Sequence, residues 1–264
     1  MNVGYPHNTM AKSNILHSDA IVLRSIDYSE TSRIVTLYTR ERGKMGIIAR
    51  GARASKSRFG STLEPMAHIS VVIHCKPGRE LQTLSEASHV NTHDALRSSL
   101  SRMETGIRVI ELVSSLMQSD QRNEQVFSLI AATLTALDKA PGRTGNLWPF
   151  FQLRLATLLG FGPAFDGELV KGLTVDAAIL DLRSGHITIS AESDSVSHQA
   201  SRSVLRAFAV LARADLSDVV RMEMDAQTSS GVGAAVAAYL KYHVEESYPS
   251  RSARVFAQLS TPES

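Results

Sequence analysis

Arg33-Ile-Val-Thr-Leu-Tyr-Thr39 and, a few residues on, Met45-Gly-Ile-Ile-Ala49 decide the fold. Both runs are rich in β-branched residues, and Arg42-Gly43-Lys44 between them supplies a tight turn, so the pair reads as a β-hairpin. Working outward, Ala20-Ile-Val-Leu-Arg-Ser-Ile26 precedes it as a strand of the same kind. His68-Ile-Ser-Val-Val-Ile-His-Cys75 follows, then the turn Lys76-Pro-Gly-Arg79 and a last strand, Glu80-Leu-Gln-Thr-Leu-Ser-Glu86. Five short strands within about 70 residues predict a small closed barrel, and the five-stranded OB type fits. Gly46, inside the third strand, is expected at the sharp bend such barrels need.

After Asn91 the apolar period changes. Leu96, Leu100, Met103, Ile107, Ile110, Val113 and Met117 step by three and four, which predicts one long helix buried along that stripe. A second helix carries Val126, Leu129, Ile130, Leu134 and Leu137 and stops at Pro141-Gly142. A third starts at an N-cap, Asn146, runs through Phe150, Phe151, Leu155 and Leu158, and ends at Gly160 before Pro163. Ile179 to Ile189 reads as a hairpin turning at Arg183-Ser-Gly185. Helices resume through Val204, Leu205, Phe208 and Leu211, then Val232, Val236, Leu240 and Val244. The fold class is therefore α+β: a disordered lead over 1–18, an OB barrel over 19–88, and a helical domain over 90–262 with a hairpin insertion at about 164–195.

Composition bounds what such a chain does. Of its 264 residues 43% are apolar, enough for sizeable cores, while the longest apolar stretch, Gly231 to Leu240, falls far short of the roughly 20 residues of a membrane span. The first residues lack a basic start and an apolar run, so no secretory signal is read there, and Met10 stands as an alternative start. A single cysteine, Cys75, excludes an intrachain disulfide and reads as a small buried hydrophobe. These features suit a cytoplasmic protein. The net charge of +2 conceals an asymmetry: Asp19 to Gly60 carries nine bases against four acids, and Arg42 to Gly60 carries six bases and no acid. A one-sided basic stretch on a barrel turn, a strand end and a loop is the footprint of a polyanion site.

Several strings resemble the bacterial recombination mediator family RecO. They are Asp27-Tyr-Ser-Glu-Thr-Ser-Arg-Ile-Val-Thr-Leu-Tyr-Thr, Arg42-Gly-Lys-Met-Gly-Ile-Ile-Ala-Arg-Gly-Ala-Arg and Ser57-Arg-Phe-Gly-Ser-Thr-Leu-Glu-Pro. Gly78-Arg-Glu-Leu-Gln-Thr-Leu-Ser-Glu-Ala, Phe151-Gln-Leu-Arg-Leu-Ala-Thr-Leu-Leu-Gly-Phe-Gly-Pro and, more loosely, Tyr239-Leu-Lys-Tyr-His-Val continue the likeness in order. The resemblance implies an OB barrel followed by a helical domain. It implies a nucleoid-associated protein that binds single- and double-stranded DNA, anneals complementary strands and, with RecR, helps load RecA onto strands coated by single-strand-binding protein (SSB), whose acidic C-terminal tail it contacts. Many family members carry a four-cysteine zinc module after the Leu-Gly-Phe stretch. Phe165-Asp-Gly-Glu-Leu-Val-Lys-Gly172 stands there without a cysteine, so no metal and no cofactor are expected, and the hairpin is expected to be held by packing alone.

Lysine and arginine bind phosphate backbones through charge without reading sequence. The DNA-binding candidates are Arg42, Lys44, Arg50, Arg53, Lys56 and Arg58, with Arg33 and Arg40 behind them. Among the barrel aromatics Tyr28, Tyr38 and Phe59, each reads as a core or turn residue; Phe59, in the basic loop, is the one weighed as a stacking platform. For the SSB tail, Arg154 among Phe151, Leu155 and Leu158 offers a base beside apolar residues.

No enzyme motif stands beside these. Gly231-Val-Gly233 lacks the context of a dinucleotide fingerprint and no P-loop exists. His89 and His93 share metal-like helical spacing without a third ligand, and Glu245-Glu246 point to different sides of a helix. Charge alone leaves an RNA-binding OB module open. A metal-dependent nuclease would need acids near the basic loop, where residues 42 to 60 hold none.

Overall fold

Strand β1 (Asn14–Tyr28) closes the barrel by pairing along its first half with β4 (His68–Cys75) and along its second half with β2 (Ser32–Thr39), both antiparallel. A bulge between the registered pairs of Val22 and Arg24 bends it across both neighbours. β3 (Gly43–Ala49) returns antiparallel along β2; β5 (Leu81–Asn91) runs parallel to β3 and antiparallel to β4. The closed order β1-β2-β3-β5-β4 is an OB-type barrel, as the strand pattern predicts. The computed structural model describes residues 14–142, 144–190 and 196–244. The first 13 residues of the lead and Glu245-Glu246 lie outside them. Asn14 to Ser18, expected in a disordered lead, instead belong to β1, because β4 offers them antiparallel partners through Val71 to Cys75.

Alternate residues fill the barrel: Val22, Val35, Leu37, Met45, Ile47, Ile69, Val71, Ile73 and Leu84 all lie in one buried cluster, which Cys75 joins as a small hydrophobe. The β2–β3 turn is built on Thr39, whose buried hydroxyl donates to Gly43 O (3.0 Å) and accepts from Arg42 N–H (3.1 Å). Gly43 has φ +71, and a side chain there would meet the Gln121 carbonyl. Gly46 is not a bend; it keeps register with Thr36, and its missing side chain is what lets the Leu81 side chain lie against β3.

By its contacts the chain forms two compact units, the barrel to Thr92 with Ser119–Arg122, and His93–Gln118 with Asn123 onward. In the second unit the expected first helix is two, α1 (Asp94–Arg97) and α2 (Leu100–Leu116), broken where Ser98 turns its hydroxyl onto Ala95 O (3.1 Å). The buried face of α2 is Gly106, Val109, Ile110, Leu112 and Val113; Leu100, expected on the stripe, is 50% exposed. α3 (Glu124–Lys139) is capped by Asn123, whose side chain accepts from Val126 N–H at 3.1 Å.

The helix α4 (Leu147–Leu158) is buried on nearly every side. It ends in a Schellman motif: Gly160 (φ +89) donates to Thr157 O and Phe161 to Ala156 O. Asn146 does not cap it. Its amide donates instead to Val219 O (3.2 Å) and Met222 O (2.8 Å), at the end of α7 (Leu216–Arg221). After α5 (Gly167–Lys171), the hairpin of β6 (Ala177–Asp181) and β7 (Ile187–Thr188) turns at a positive-φ Gly185. A third strand, β8 (Ser197–Ser201), joins β6 on its other edge. α6 (Arg202–Arg213) and α8 (Ala226–Val244) complete the unit, with Gly231 giving the room that Val204 of α6 occupies.

The insertion is not held by packing alone. Arg206 donates to Val170 O, Lys171 O and Leu173 O, and Arg213 donates to Phe165 O while stacking 4.7 Å from the Phe165 ring. Residues 165–172 do not fit a zinc module: the Asp166 carboxylate caps α5 by accepting from Glu168 N–H, and Glu168 pairs with Lys171.

Candidate nucleic-acid interface

The segment between β3 and β4 folds back over one open end of the barrel. Phe59 and Leu63, from its single 3-10 turn (Gly60–Leu63) and the residue before it, insert into the barrel core. Phe59 is only 2% exposed, so it plugs the barrel and offers no face to a base. Tyr38 is likewise fully buried, which pushes its phenol up to about 12. With Phe59 and Leu63 pointing in, the basic residues of the segment are left outside, and Arg50, Arg53, Lys56 and Arg58 are all exposed.

The eight basic candidates do not form one patch. Arg33 lies at one end of β2 and Arg40 beyond the other, about 23 Å apart along the strand by its rise per residue. At the β2–β3 turn, charge is largely matched. Arg42 Nη2 lies 2.7 Å from Asp120 Oδ1, and Arg40 pairs with Asp19 at 3.5 Å. Glu41 accepts the Ser18 hydroxyl. Lys44 is half-buried, and desolvation lowers its pKa.

At the opposite end, Asp27 divides its carboxylate between Arg33 Nε and Arg53 Nε, each at 3.2 Å. Arg33 Nη1 reaches Glu64 Oε1 at 2.8 Å, and that hydrogen bond, against an opposing desolvation, together with the two carboxylate charges raises the Arg33 pKa. Arg53 also donates from Nη1 to Ser29 O (2.7 Å) and from its backbone to Thr31 O (3.0 Å). Arg33 and Arg53 therefore tie the basic loop to the β1–β2 turn. That leaves Arg50, Lys56 and Arg58, for which no carboxylate partner exists among the described residues. The Arg58 guanidinium rests over the ring of its neighbour Phe59, 5.0 Å from the ring centre. Arg24, counted in the basic stretch but left out of the candidate set, is also exposed on β1 with no such partner.

In the helical unit, Phe151 and Leu155 are fully buried in the core around α4 and out of reach of a partner. Arg154 and Leu158 do line an open groove of about 600 Å³ between α3 and α4, with Leu129, Gln125 and Glu124 on its other wall. His89 lies on β5, with Nε2 3.0 Å from Ser61 Oγ, so its spacing to His93 is not that of one helix. Among the described residues no group of three or more His, Cys, Asp or Glu side chains is arranged to hold a metal, and no helix is long and apolar enough to cross a membrane.

A closed OB-type barrel with exposed cations that meet no carboxylate among the described residues, followed by a helical unit, is an architecture found among oligonucleotide- and oligosaccharide-binding proteins. Comparison narrows the class. The family model for the N-terminal part of recombination protein O matches residues 10–93, and that for its C-terminal part matches residues 97–252. The chain is 45% identical over 250 residues to the DNA repair protein RecO of Salinibacter ruber, covering 95% of this chain and 96% of that protein. It is 40% identical over 146 residues to RecO of Anaeromyxobacter dehalogenans strain 2CP-C, covering 55% and 57% of the two chains. Against RecO of Chlorobium phaeobacteroides the identity is 31% over 191 residues, 72% of this chain and 73% of that one. The chain belongs to the RecO family of DNA repair proteins.

Proposed function

We propose that this protein is a non-catalytic DNA-binding mediator of recombinational repair. It holds single strands by their phosphates on the loop after β3, anneals complementary strands and, with RecR, helps RecA load onto SSB-coated DNA in the nucleoid. The observation that carries the reading is the loop at one barrel end, where Arg50, Lys56 and Arg58 are exposed and meet no carboxylate among the described residues. Cations without internal partners can displace the counterions condensed on the phosphates without first breaking an ion pair. Family membership supports the choice of DNA repair over other polyanion roles. In the helical unit, Arg154 and Leu158 offer the acidic SSB tail a base beside an apolar edge.

The test is annealing of complementary fluorescent oligonucleotides and single-strand binding across a salt series. Each phosphate held contributes about −0.7 to the slope of log K against log salt on single strands. Wild type is expected to show a steep slope, and the triple variant Arg50→Ala/Lys56→Ala/Arg58→Ala a slope shallower by about 2, with slower annealing and unchanged melting. Arg53 is spared because it pins the loop. Salt-independent binding by wild type, or tighter binding to a matched RNA than to DNA, overturns the reading.

A further inference from the structure

The outer face of the barrel beside the basic loop is apolar. Ile26 pairs with Ile34, Ile34 with Ile48, and Ile48 with Thr83, one row across β1, β2, β3 and β5. Side chains alternate faces along a strand, and the neighbours Val35, Ile47 and Ala49 are in the buried core, so this row points outward. Ile26 is 41% exposed, and Tyr28, two residues on along the same face, is 51% exposed. Outward positions of a half-solvated sheet are ordinarily polar. Here three isoleucines and a tyrosine take them. Arg24 continues the same face of β1 on one side, and Arg50 follows β3 on the other, directly after Ala49, the partner of Arg33; Ser32, the residue before Arg33, pairs with Tyr28.

The geometry points to Tyr28, backed by Ile26, Ile34 and Ile48, as a platform for the base faces of single-stranded nucleic acid, with Arg24 and Arg50 taking phosphates on either side. This deepens the proposed function and rests on it. The occupant follows from the combination of surfaces. An apolar strip alone would suit many proteins, and a cationic flank alone any polyanion; a single strand presents both regularly spaced phosphates and exposed π-faces. A duplex hides those faces in its stack. The chemistry also suits annealing, since a ring that takes the face of a base leaves its Watson–Crick edge open to a complementary strand.

The experiment measures binding of the full chain to an oligothymidylate and to an abasic oligonucleotide of equal length, by fluorescence anisotropy over a salt series. One stacked base is worth roughly 5- to 150-fold in affinity. Wild type is expected to prefer thymidylate by that order. Tyr28→Ala and Tyr28→Leu are expected to bring the ratio close to one without altering the salt slope, and Tyr28→Phe to keep it. Leucine retains apolar bulk at a half-exposed strand position, so loss with both variants separates the lost π-face from a lost fold. A ratio unchanged in Tyr28→Ala overturns the platform, as does a wild type that does not distinguish the two oligonucleotides while keeping a steep slope. Salt-independent binding of both by wild type overturns the DNA reading itself, and the platform with it.

Discussion

Asp27 sits amid the basic loop's anchors with a charge opposite to the ligand's, and its geometry reverses the naive expectation for its removal. By bulk electrostatics, Asp27→Asn removes a negative charge beside a DNA site and should tighten binding. The carboxylate, however, holds both Arg33 and Arg53, and Arg53 holds the loop to Ser29 and Thr31. Exposed pairs of this kind contribute about 0.5–1 kcal/mol. Asp27→Asn is therefore expected to weaken single-strand binding roughly two- to fivefold and to speed tryptic cleavage after Arg50, Lys56 and Arg58. Glu30→Gln, which removes the same charge from the neighbouring turn without touching an anchor, is expected to leave binding equal or tighter. Equal effects of the two variants would show that Asp27 acts through charge alone. The distinction between anchor and contact was not legible in the sequence. Counting bases located the loop, but Arg33 finds Glu64 at a separation of 31 residues, and no local pattern announces such a pair. Tyr28 was missed for a related reason, because turn and platform look alike until the strand's outward face is known.

Elements were legible where burial alternates simply. The hairpin of β2 and β3 and the bounds of β4 follow from period-two runs closed by turn residues, and α3 from its apolar stripe and the Pro141-Gly142 stop. The insertion was not, because its organising residues are arginines on a helix whose apolar face alone was read. Arg206 and Arg213 are seven residues apart on α6, two turns along one face, and grip the two ends of the 165–173 segment through backbone carbonyls. Arg206→Met keeps the stem but leaves three carbonyls without that donor. It is expected to destabilise the helical unit by about 1–3 kcal/mol, with hydrogen exchange rising first over 165–173. Arg221→Met, at an exposed position at the end of α7, is expected to stay within about 0.5 kcal/mol of wild type. Similar losses for both would assign the insertion to apolar packing after all.

At the scale of the whole chain, the switch of period after Asn91 was enough to read a barrel followed by helices, since each period buries a different kind of face. How each unit responds to pH needed the structure. Tyr38 in the barrel and Tyr239 in the helical unit are both pushed up to about 12, Tyr38 by burial and Tyr239 by burial and then the negative charge of Asp181. Both phenols start from an ordinary value of 10.0, so folding favours their protonated form; that contribution is complete below pH 10 and is lost as pH rises toward 12. The two units do not lose it equally. Lys44, the cross-strand partner of Tyr38, has its pKa lowered by desolvation, so its deprotonation relieves a cost in the same alkaline range and offsets part of the barrel's loss. Tyr239 has no such counterweight in its hydrogen bond, a 2.6 Å donation to Phe161 O. Trp148, the single tryptophan, reports the helical unit. The unfolding free energy read from its fluorescence is expected to hold steady to about pH 9.5 and then to fall, by on the order of 2–3 kcal/mol at the top of the range. Tyr239→Phe is expected to start lower by about 1 kcal/mol for the lost hydrogen bond and to fall much less between pH 10 and 12. A variant that keeps the full alkaline fall would place the titrating group elsewhere in the unit.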